Sequence, residues 1–241
     1  MAQRKIQFVN GEIYHIVIKA IEGFNLFRNK KDYLRMVHDL FEFNDINPAP
    51  SRFRVACQRN KINVTRKVLV TFNGKTRRKR KLLVKILAFC LMPNHVHLLV
   101  RQLKGEGISK LMRKLGGYAL YYNKKYERKG HLFQGKFQAI LIKNNEQLKS
   151  VFVYIHTNPV AIIYSNWKER GIKNAKRAIN HLENYRWSSY SDYLGKKGFP
   201  SLTNREFLLK VMGGKRGCVN FVNGWLKFKQ KLSDFDYISI E

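Results

Sequence analysis

Met92-Pro93-Asn94-His95-Val96-His97-Leu98-Leu99-Val100 places two histidines directly after a turn signal and between apolar residues. Pro93-Asn94 is typical of a tight turn, and the apolar residues on both sides predict two strands, at residues 82–92 and 95–101. Side chains two residues apart in a strand point to the same face, so His95 and His97 can bind one ion together. Histidines in this spacing are also found as a polar edge or as a hydrogen-bonded core pair. The spacing alone therefore leaves both interpretations open.

The elements around this hairpin predict an α+β protein with a ferredoxin-like (RRM-like) antiparallel sheet and helices on one face. Their order is strand, helix, strand, strand, helix, strand, helix. Gly116-Gly117 in the second helix indicates either a break or a close approach of another group. Helical patterns beyond Pro159 predict a C-terminal helical appendage. Besides the hairpin, the elements are a strand at 12–20, a helix after Asn29, a helix after Gly107, a strand at 137–142 and a helix at 147–156.

The composition indicates the kind of partner. There are 47 Lys and Arg against 16 Asp and Glu, which gives a formal net charge of +31. Such a charge attracts polyanions, and 13% aromatic residues favour nucleic acid, bound through phosphate contacts and base stacking. An anionic membrane surface is the competing partner, but no apolar run is long enough to span a bilayer. The N-terminus lacks the apolar core of a signal peptide and the three cysteines lack Cys-x-x-Cys spacing, so we expect a cytoplasmic protein with reduced cysteines.

The helix before Pro159 carries the other candidate site residues. Tyr154 and Asn158 lie four residues apart and so share a helix face. Pro159 disfavours helical geometry at Asn158, which predicts that the helix ends there with the Asn158 amide directed outward. A tyrosine beside a bound ion is a suitable nucleophile toward phosphorus. An isolated tyrosine on a helix, however, is more often a packing residue.

Other tyrosines and histidines compete for these roles. Four tyrosines on the preceding basic helix alternate with its apolar stripe, which favours packing or base stacking for them. They are Tyr118, Tyr121, Tyr122 and Tyr126. His131 and His156 are either donors near the site or ordinary polar histidines.

Four segments in this order resemble the REP-associated tyrosine transposases, relatives of the single-strand insertion-sequence transposases that share a His-hydrophobic-His motif. The resemblance implies that His95 and His97 bind a divalent ion, Mg²⁺ or Mn²⁺, and that Tyr154 is the nucleophile. It also implies that Asn158 completes the metal site, where the relatives often have Gln. The segments are residues 91–100, Gly130-His131-Leu132-Phe133-Gln134-Gly135-Lys136-Phe137, Tyr154-Ile155-His156-Thr157-Asn158-Pro159-Val160 and Tyr185-Arg186-Trp187-Ser188-Ser189-Tyr190.

The resemblance further implies a transposase and endonuclease that cleaves and rejoins single-stranded or hairpin DNA through a 5′-phosphotyrosine intermediate. Its catalytic domain would span residues 1–160. The Asn73-Gly74 pair and the basic run after it predict a hairpin insertion at about 52–81, which is longer than the family's pattern and has no assigned role. Residues 161–241 would be a helical extension that contacts DNA. Related proteins act as dimers or as monomers, so the oligomeric state stays open.

Two other functional classes are compatible with the sequence. A non-catalytic DNA- or RNA-binding module on the same fold would explain the charge and the aromatic residues, and it would tolerate loss of Tyr154. A metal-independent phosphoesterase with paired histidines is less favoured. Such an enzyme normally needs two separated His-x-Thr or His-x-Ser strands, whereas His97 is followed by Leu98-Leu99.

Overall fold

The computed structural model describes residues 7–48, 71–72, 75–76 and 80–238. The strands are β1 (Ile13–Lys19), β2 (Thr71–Phe72), β3 (Lys75–Thr76), β4 (Val84–Met92), β5 (His95–Gln102) and β6 (Gln138–Leu141). The α-helices are α1 (Lys30–Phe43), α2 (Gly107–Leu115), α3 (Gly117–Lys125), α4 (Asn145–Thr157), α5 (Trp167–Arg170), α6 (Ala175–Asn184), α7 (Tyr190–Tyr193), α8 (Glu206–Met212) and α9 (Gly214–Ile238). Short 3₁₀ helices lie at Ile21–Gly23 and Asn158–Ile162.

The main sheet has the strand order β4-β5-β1-β6. The turn between β4 and β5 lies at Pro93-Asn94, as predicted. The Gly11 N–H donates to the Gln102 carbonyl at 2.8 Å and the Ala20 N–H to the Asn94 carbonyl at 2.9 Å, so β1 and β5 are antiparallel. The first and last strands of the predicted order are neighbours, which is the ferredoxin-like arrangement. The predicted fold class is confirmed.

The predicted hairpin around Asn73-Gly74 also has its two strands. Thr71 pairs with Thr76 and Phe72 pairs with Lys75 in an antiparallel register. The turn itself and most of the insertion predicted at 52–81, including most of its basic arm, lie outside the described residues.

The predicted weak point at Gly116-Gly117 is a break. Helix α2 ends at Leu115 and α3 begins at Gly117. A Cβ atom on Gly117 would lie 3.8 Å from the Phe43 ring, which is an ordinary contact. A Cβ atom on Gly116 would lie 3.0 Å from the Arg113 carbonyl oxygen. The glycine pair therefore lies at the break, and the tight approach at Gly116 is to the backbone of α2 itself.

The described residues form two compact units. The first contains residues up to Lys85, Pro93–His95 and Val100–Ala139. In it α1 packs against α2 and α3. Its core includes the buried side chains of Leu26, Met36, Leu40, Leu111 and Tyr118.

The second unit contains Ile86–Met92, Val96–Leu99 and the described residues from Ile140 onward. Here the segment at 187–189 extends along β4, the edge strand of the sheet. The Leu91 N–H donates to the Trp187 carbonyl at 2.9 Å, and the Ser189 N–H donates to the Phe89 carbonyl at 3.0 Å. This short antiparallel pairing satisfies backbone groups that an edge strand would leave open. Part of the 185–190 motif therefore completes the backbone hydrogen bonding at this edge of the sheet.

Among the described helices, none has both the length and the apolar character that a membrane span requires.

Candidate active site

Helix α4 is fixed by its cap and its buried face, and it leaves Tyr154 accessible. The Asn144 side chain accepts the Gln147 N–H at 2.8 Å, so Asn144 is the N-cap. Leu148 and Phe152 are buried on the inner face of the helix, whereas the side chain of Tyr154 is 39% exposed. The buried face therefore anchors α4 in the second unit, and the Tyr154 side chain remains accessible to a substrate.

The Tyr154 ring contacts His97 of β5 within the second unit. The two ring centroids are 5.4 Å apart at an interplanar angle of 87°, an edge-to-face arrangement. His97 is only 2% exposed. The structure therefore brings together the predicted nucleophile and one of the two predicted metal ligands.

His95 lies two residues before His97 on β5, so the strand directs both side chains to one face. His95 is more exposed than His97, and its Nδ1 lies 2.7 Å from the Asn94 side-chain oxygen. One nitrogen of the ring is thus already engaged with a neighbour in the turn. The strand geometry predicted for the pair is confirmed, and their role as ligands stays a prediction.

Lys168 of α5 contacts two of the predicted residues. Its Nζ lies 4.3 Å from the centroid of the Tyr154 ring and 3.5 Å from the Asn158 Oδ1. The Lys229 ammonium donates to the Lys168 backbone carbonyl, which ties α5 to α9. An ammonium beside the phenol is suited to bind a phosphate. Sequence reasoning missed Lys168 because nothing in its local pattern separates it from the many other basic residues.

Asn158 corrects one prediction. Its backbone is helical (φ −50°, ψ −39°), its side chain is 4% exposed, and its Nδ2 donates to the Tyr154 carbonyl at 2.8 Å. Pro159 falls in the first turn of the 3₁₀ helix, where its missing N–H has no cost. The chain therefore stays helical through Asn158, and the prediction of an outward amide was wrong. The amide caps the end of α4, and its oxygen lies near Lys168.

His156 has a structural role. It is fully buried, and its Nε2 lies 2.8 Å from the Ser189 Oγ, which in turn accepts the Phe89 N–H at 2.9 Å. Burial lowers the pKa of His156 to about 3, so the ring is neutral in the folded protein. This histidine ties α4 to β4 as an ordinary polar core residue. His131, in contrast, is exposed.

The four tyrosines that compete with Tyr154 as nucleophile all lie in the first unit and make hydrogen bonds there. Tyr118 and Tyr122 are fully buried, and their hydroxyls donate to the carbonyls of Leu26 at 2.6 Å and Asn25 at 2.7 Å. A buried phenol whose proton is held by a backbone carbonyl is poorly placed to attack a substrate. The predicted packing role therefore fits Tyr118 and Tyr122.

Tyr121 and Tyr126 donate to the buried carboxylate of Asp32, at 2.9 and 2.6 Å. Burial would raise the pKa of Asp32, but hydrogen bonds from Lys125 and the two phenols outweigh burial and lower it. Burial, supported by the Asp32 charge, raises the pKa of Tyr121 to about 12. We name Asp32 with its three partners Tyr121, Lys125 and Tyr126 the Asp32 cluster. Its phenols are hydrogen-bond donors in a structural network.

The donor set allows a test of the predicted ion. Within the described residues, no three His, Cys, Asp or Glu side chains gather as a metal site. Two imidazoles and one amide oxygen fit a divalent ion only with further oxygen ligands, such as water or a substrate phosphate. Mg²⁺ prefers oxygen ligands, whereas imidazole suits transition metals. Of the two predicted ions, Mn²⁺ therefore fits His95 and His97 better.

The predicted fold class is present, and Tyr154 lies beside His97. Residues 55–158 match the protein family described as "Transposase IS200 like". That segment contains both histidines, Tyr154 and Asn158. The resemblance is confirmed over this segment, and the match supports a function as a DNA transposase.

Two further comparisons complete this result. A solved structure described as "Structure of the REP associates tyrosine transposase bound to a REP hairpin" aligns with a TM-score of 0.48 and 15% sequence identity. The alignment covers 86% of this chain and 93% of that chain. The comparison with curated proteins gives no match.

Proposed function

We propose that this protein is a DNA transposase that cleaves and rejoins single-stranded or hairpin DNA through a covalent link to Tyr154. The observation that carries the proposal is the position of the Tyr154 ring, which is accessible and yet held between His97 and Lys168. The other described tyrosines with assigned hydroxyl contacts are engaged with backbone carbonyls or with Asp32. The family match over residues 55–158 supports the class of reaction.

In the proposed reaction, the Tyr154 Oη forms a bond to phosphorus and the bond from phosphorus to the 3′ oxygen of the preceding nucleotide breaks. The phenolic proton is lost, and the departing 3′ oxygen gains a proton to become a hydroxyl. The DNA on the 3′ side of the break stays attached through its 5′ phosphate. Attack by another 3′ hydroxyl on this link rejoins the DNA and restores the phenol, so the exchange needs no external energy source.

Three side chains would hold the divalent ion: His95, His97 and, as the predicted third ligand, Asn158. When bound, Mn²⁺ or Mg²⁺ polarises the phosphate and reduces its repulsion of an approaching phenolate. Lys168 adds a fixed positive charge beside Tyr154. Because its Nζ lies 3.5 Å from the Asn158 Oδ1, Lys168 and a cation would compete for that oxygen.

A denaturing gel tests the covalent step. Protein is incubated with manganese and a single-stranded hairpin DNA that is labelled at either its 3′ or its 5′ end. We expect a shifted, heat-stable band with the 3′ label alone, and its loss in Tyr154→Phe. Tyr164→Phe is the control, since Tyr164 is a partly exposed tyrosine of the same unit. An adduct that survives Tyr154→Phe, or one that carries the 5′ label, contradicts the proposal.

A second measurement separates catalysis from binding. We expect His95→Ala to remove the adduct while most of the affinity for the same DNA survives, as measured by fluorescence anisotropy at fixed salt. An equal loss of adduct and affinity would indicate a structural histidine. Parent protein that binds DNA tightly but never forms an adduct would instead be a non-catalytic binding module.

A further inference from the structure

Helix α9 has two apolar stripes, and only one of them is buried. The buried stripe holds the helix in the second unit and consists of Cys218, Val222 and Leu226, each 0% exposed. The other stripe is aromatic and consists of Phe221, Trp225 and Phe228, which are 42%, 39% and 49% exposed. Residues three and four apart share a helix face, so these three rings form one surface. Since the buried stripe already anchors α9, the exposed aromatic stripe is available for another role.

The aromatic stripe lines a groove that also contains the candidate nucleophile. The groove encloses about 1110 Å³ and lies entirely within the second unit. Tyr154 and Lys168 belong to its lining, as does Lys149 of α4. The same space therefore offers flat aromatic surfaces, basic side chains and the phenol of Tyr154.

The chemistry of the groove matches that of single-stranded nucleic acid. The Trp225 and Phe228 rings are stacked, with centroids 5.7 Å apart and an interplanar angle of 29°. The Lys229 Nζ lies 5.2 Å from the Trp225 ring, and the Lys149 Nζ lies 5.6 Å from the Phe221 ring. Aromatic platforms beside cations are how proteins bind unpaired bases and their phosphates. Glu146 is the one acidic residue of the described lining.

We propose that this groove binds the unpaired nucleotides next to the phosphate that Tyr154 attacks. Their bases stack on Trp225 and Phe228, and their phosphates contact the lysines of the lining. Holding these nucleotides positions the scissile phosphate at the phenol, since a fixed geometry lowers the entropic barrier to reaction. The assignment of the site rests on the proposed function, but base stacking can be measured without cleavage.

The test compares two substitutions of one exposed residue on two DNA ligands. Trp225→Leu removes the stacking surface, whereas Trp225→Phe keeps an aromatic ring. Each variant is titrated by fluorescence anisotropy with a thymidine oligonucleotide and with an abasic oligonucleotide of equal length, which has the phosphates but no bases. We expect Trp225→Leu to weaken binding of the thymidine strand about ten-fold. Trp225→Phe should bind that strand like the parent, and all three proteins should bind the abasic strand alike.

Two lysine variants with the same change of net charge test whether phosphates bind in the groove. Lys149→Ala removes a lysine that lines the groove, and Lys227→Ala removes an exposed lysine of α9 outside the lining. Both variants lose the same net charge. We expect Lys149→Ala to weaken binding of both strands more than Lys227→Ala does. Equal effects of the two variants would show that only the overall charge matters and would overturn the assignment of phosphates to the groove.

The remaining outcomes separate the two proposals. If no DNA yields an adduct but Trp225→Leu still shows the base-dependent loss, the covalent mechanism fails and the groove assignment stands. If the parent forms the adduct and Trp225→Leu binds both strands like the parent, the groove assignment is overturned. A change of sedimentation coefficient in Trp225→Leu without any base dependence would show a contact between two copies of the chain, which also overturns it.

Discussion

The tyrosines of the Asp32 cluster and Tyr154 have the same side chain and opposite surroundings. In the first unit, the phenols of Tyr121 and Tyr126 donate to one buried carboxylate, and Lys125 closes the network. In the second unit, the Tyr154 ring is bordered by the imidazole of His97 and the ammonium of Lys168. The phenols of the Asp32 cluster are held as donors to a carboxylate, whereas Lys168 places an ammonium beside the accessible ring of Tyr154.

The number of tyrosines in a basic segment therefore does not indicate which tyrosine is placed for chemistry. Helix α3 contains three tyrosines and Tyr126 follows at its end, and the four hydroxyls join this segment to residues 25–32. The helix with one tyrosine, α4, leaves that side chain 39% exposed in a groove. A tyrosine hydroxyl can stabilise the fold or react with a substrate. Here the structural phenols lie beside a carboxylate, and the candidate nucleophile lies beside an ammonium.

The largest expected effect comes from breaking the Asp32 cluster. Asp32→Ala removes the acceptor of two phenols and of the Arg28 and Asn29 N–H groups at the start of α1. Loss of the capping interaction together with three side-chain hydrogen bonds to a buried carboxylate should lower the free energy of unfolding by about 3 to 4 kcal/mol. Urea denaturation followed by circular dichroism measures the loss. Adduct formation should persist at temperatures where the variant is folded.

Two further variants sharpen that result. Asp32→Asn keeps an acceptor oxygen and should lose less stability than Asp32→Ala. Tyr154→Phe removes only an accessible hydroxyl, so its stability should stay within about 0.5 kcal/mol of the parent. A loss below about 1 kcal/mol in Asp32→Ala would show that the cluster does not stabilise the first unit.

The second prediction concerns His156, the buried histidine in the core of the second unit. The pKa of His156 is about 3 in the folded protein and near its ordinary value of 6.5 in the unfolded chain. Between these values the unfolded chain binds a proton that the folded protein does not. The free energy of unfolding therefore falls as the pH is lowered through this window, by about 2 kcal/mol between pH 7 and pH 5 for this one group.

His156→Gln isolates this contribution. Burial also lowers the pKa of His15, to about 4, and raises the pKa of Asp39, to about 7. These groups therefore also change the free energy of unfolding with pH, in addition to His156. These groups are common to both proteins, and the difference between parent and variant removes them. We expect the variant to be less stable at pH 7 and to lose less stability on acidification. Parallel curves for the two proteins would mean that His156 is not held neutral.

The fold could be predicted largely from the sequence because its signals are local. Alternating apolar runs, the Pro93-Asn94 turn and the Asn144 cap each act over a few residues. The behaviour of Asn158 could not be predicted, because it depends on whether the chain continues as a 3₁₀ helix after Pro159. Asn158 adopts helical geometry despite the preference of residues before proline for extended backbone, and its side chain donates a hydrogen bond to the Tyr154 carbonyl.

The candidate site was accessible to sequence reasoning only in part. The spacing of His95 and His97 and the helical position of Tyr154 are visible in the sequence. The contacts of Tyr154 with His97 and Lys168 join residues that are far apart in the chain, so no local pattern encodes them. The aromatic stripe of α9 is partly visible in the sequence, because that helix has more apolar residues than one packed face requires.

The smallest expected effect concerns Lys168, the residue that distinguishes the surroundings of Tyr154 most directly from the Asp32 cluster. Lys168→Ala removes the ammonium that lies 4.3 Å from the Tyr154 ring. Loss of one charge-assisted contact to the phosphate should slow adduct formation about ten-fold in single-turnover gels. Because Lys168 is not fully buried, the free energy of unfolding should change by less than about 0.5 kcal/mol.

Lys173→Ala is the matched control, since Lys173 is exposed and its loss changes the net charge equally. An equal slowing in both variants would mean that Lys168 acts only through the overall field of the chain. Manganese titration adds a second, independent reading. If Asn158 is the third ligand, removing the competing ammonium should lower the Mn²⁺ concentration that gives half-maximal adduct. An unchanged manganese requirement in Lys168→Ala would remove Asn158 from the metal site and leave the two histidines as the ligands from this chain.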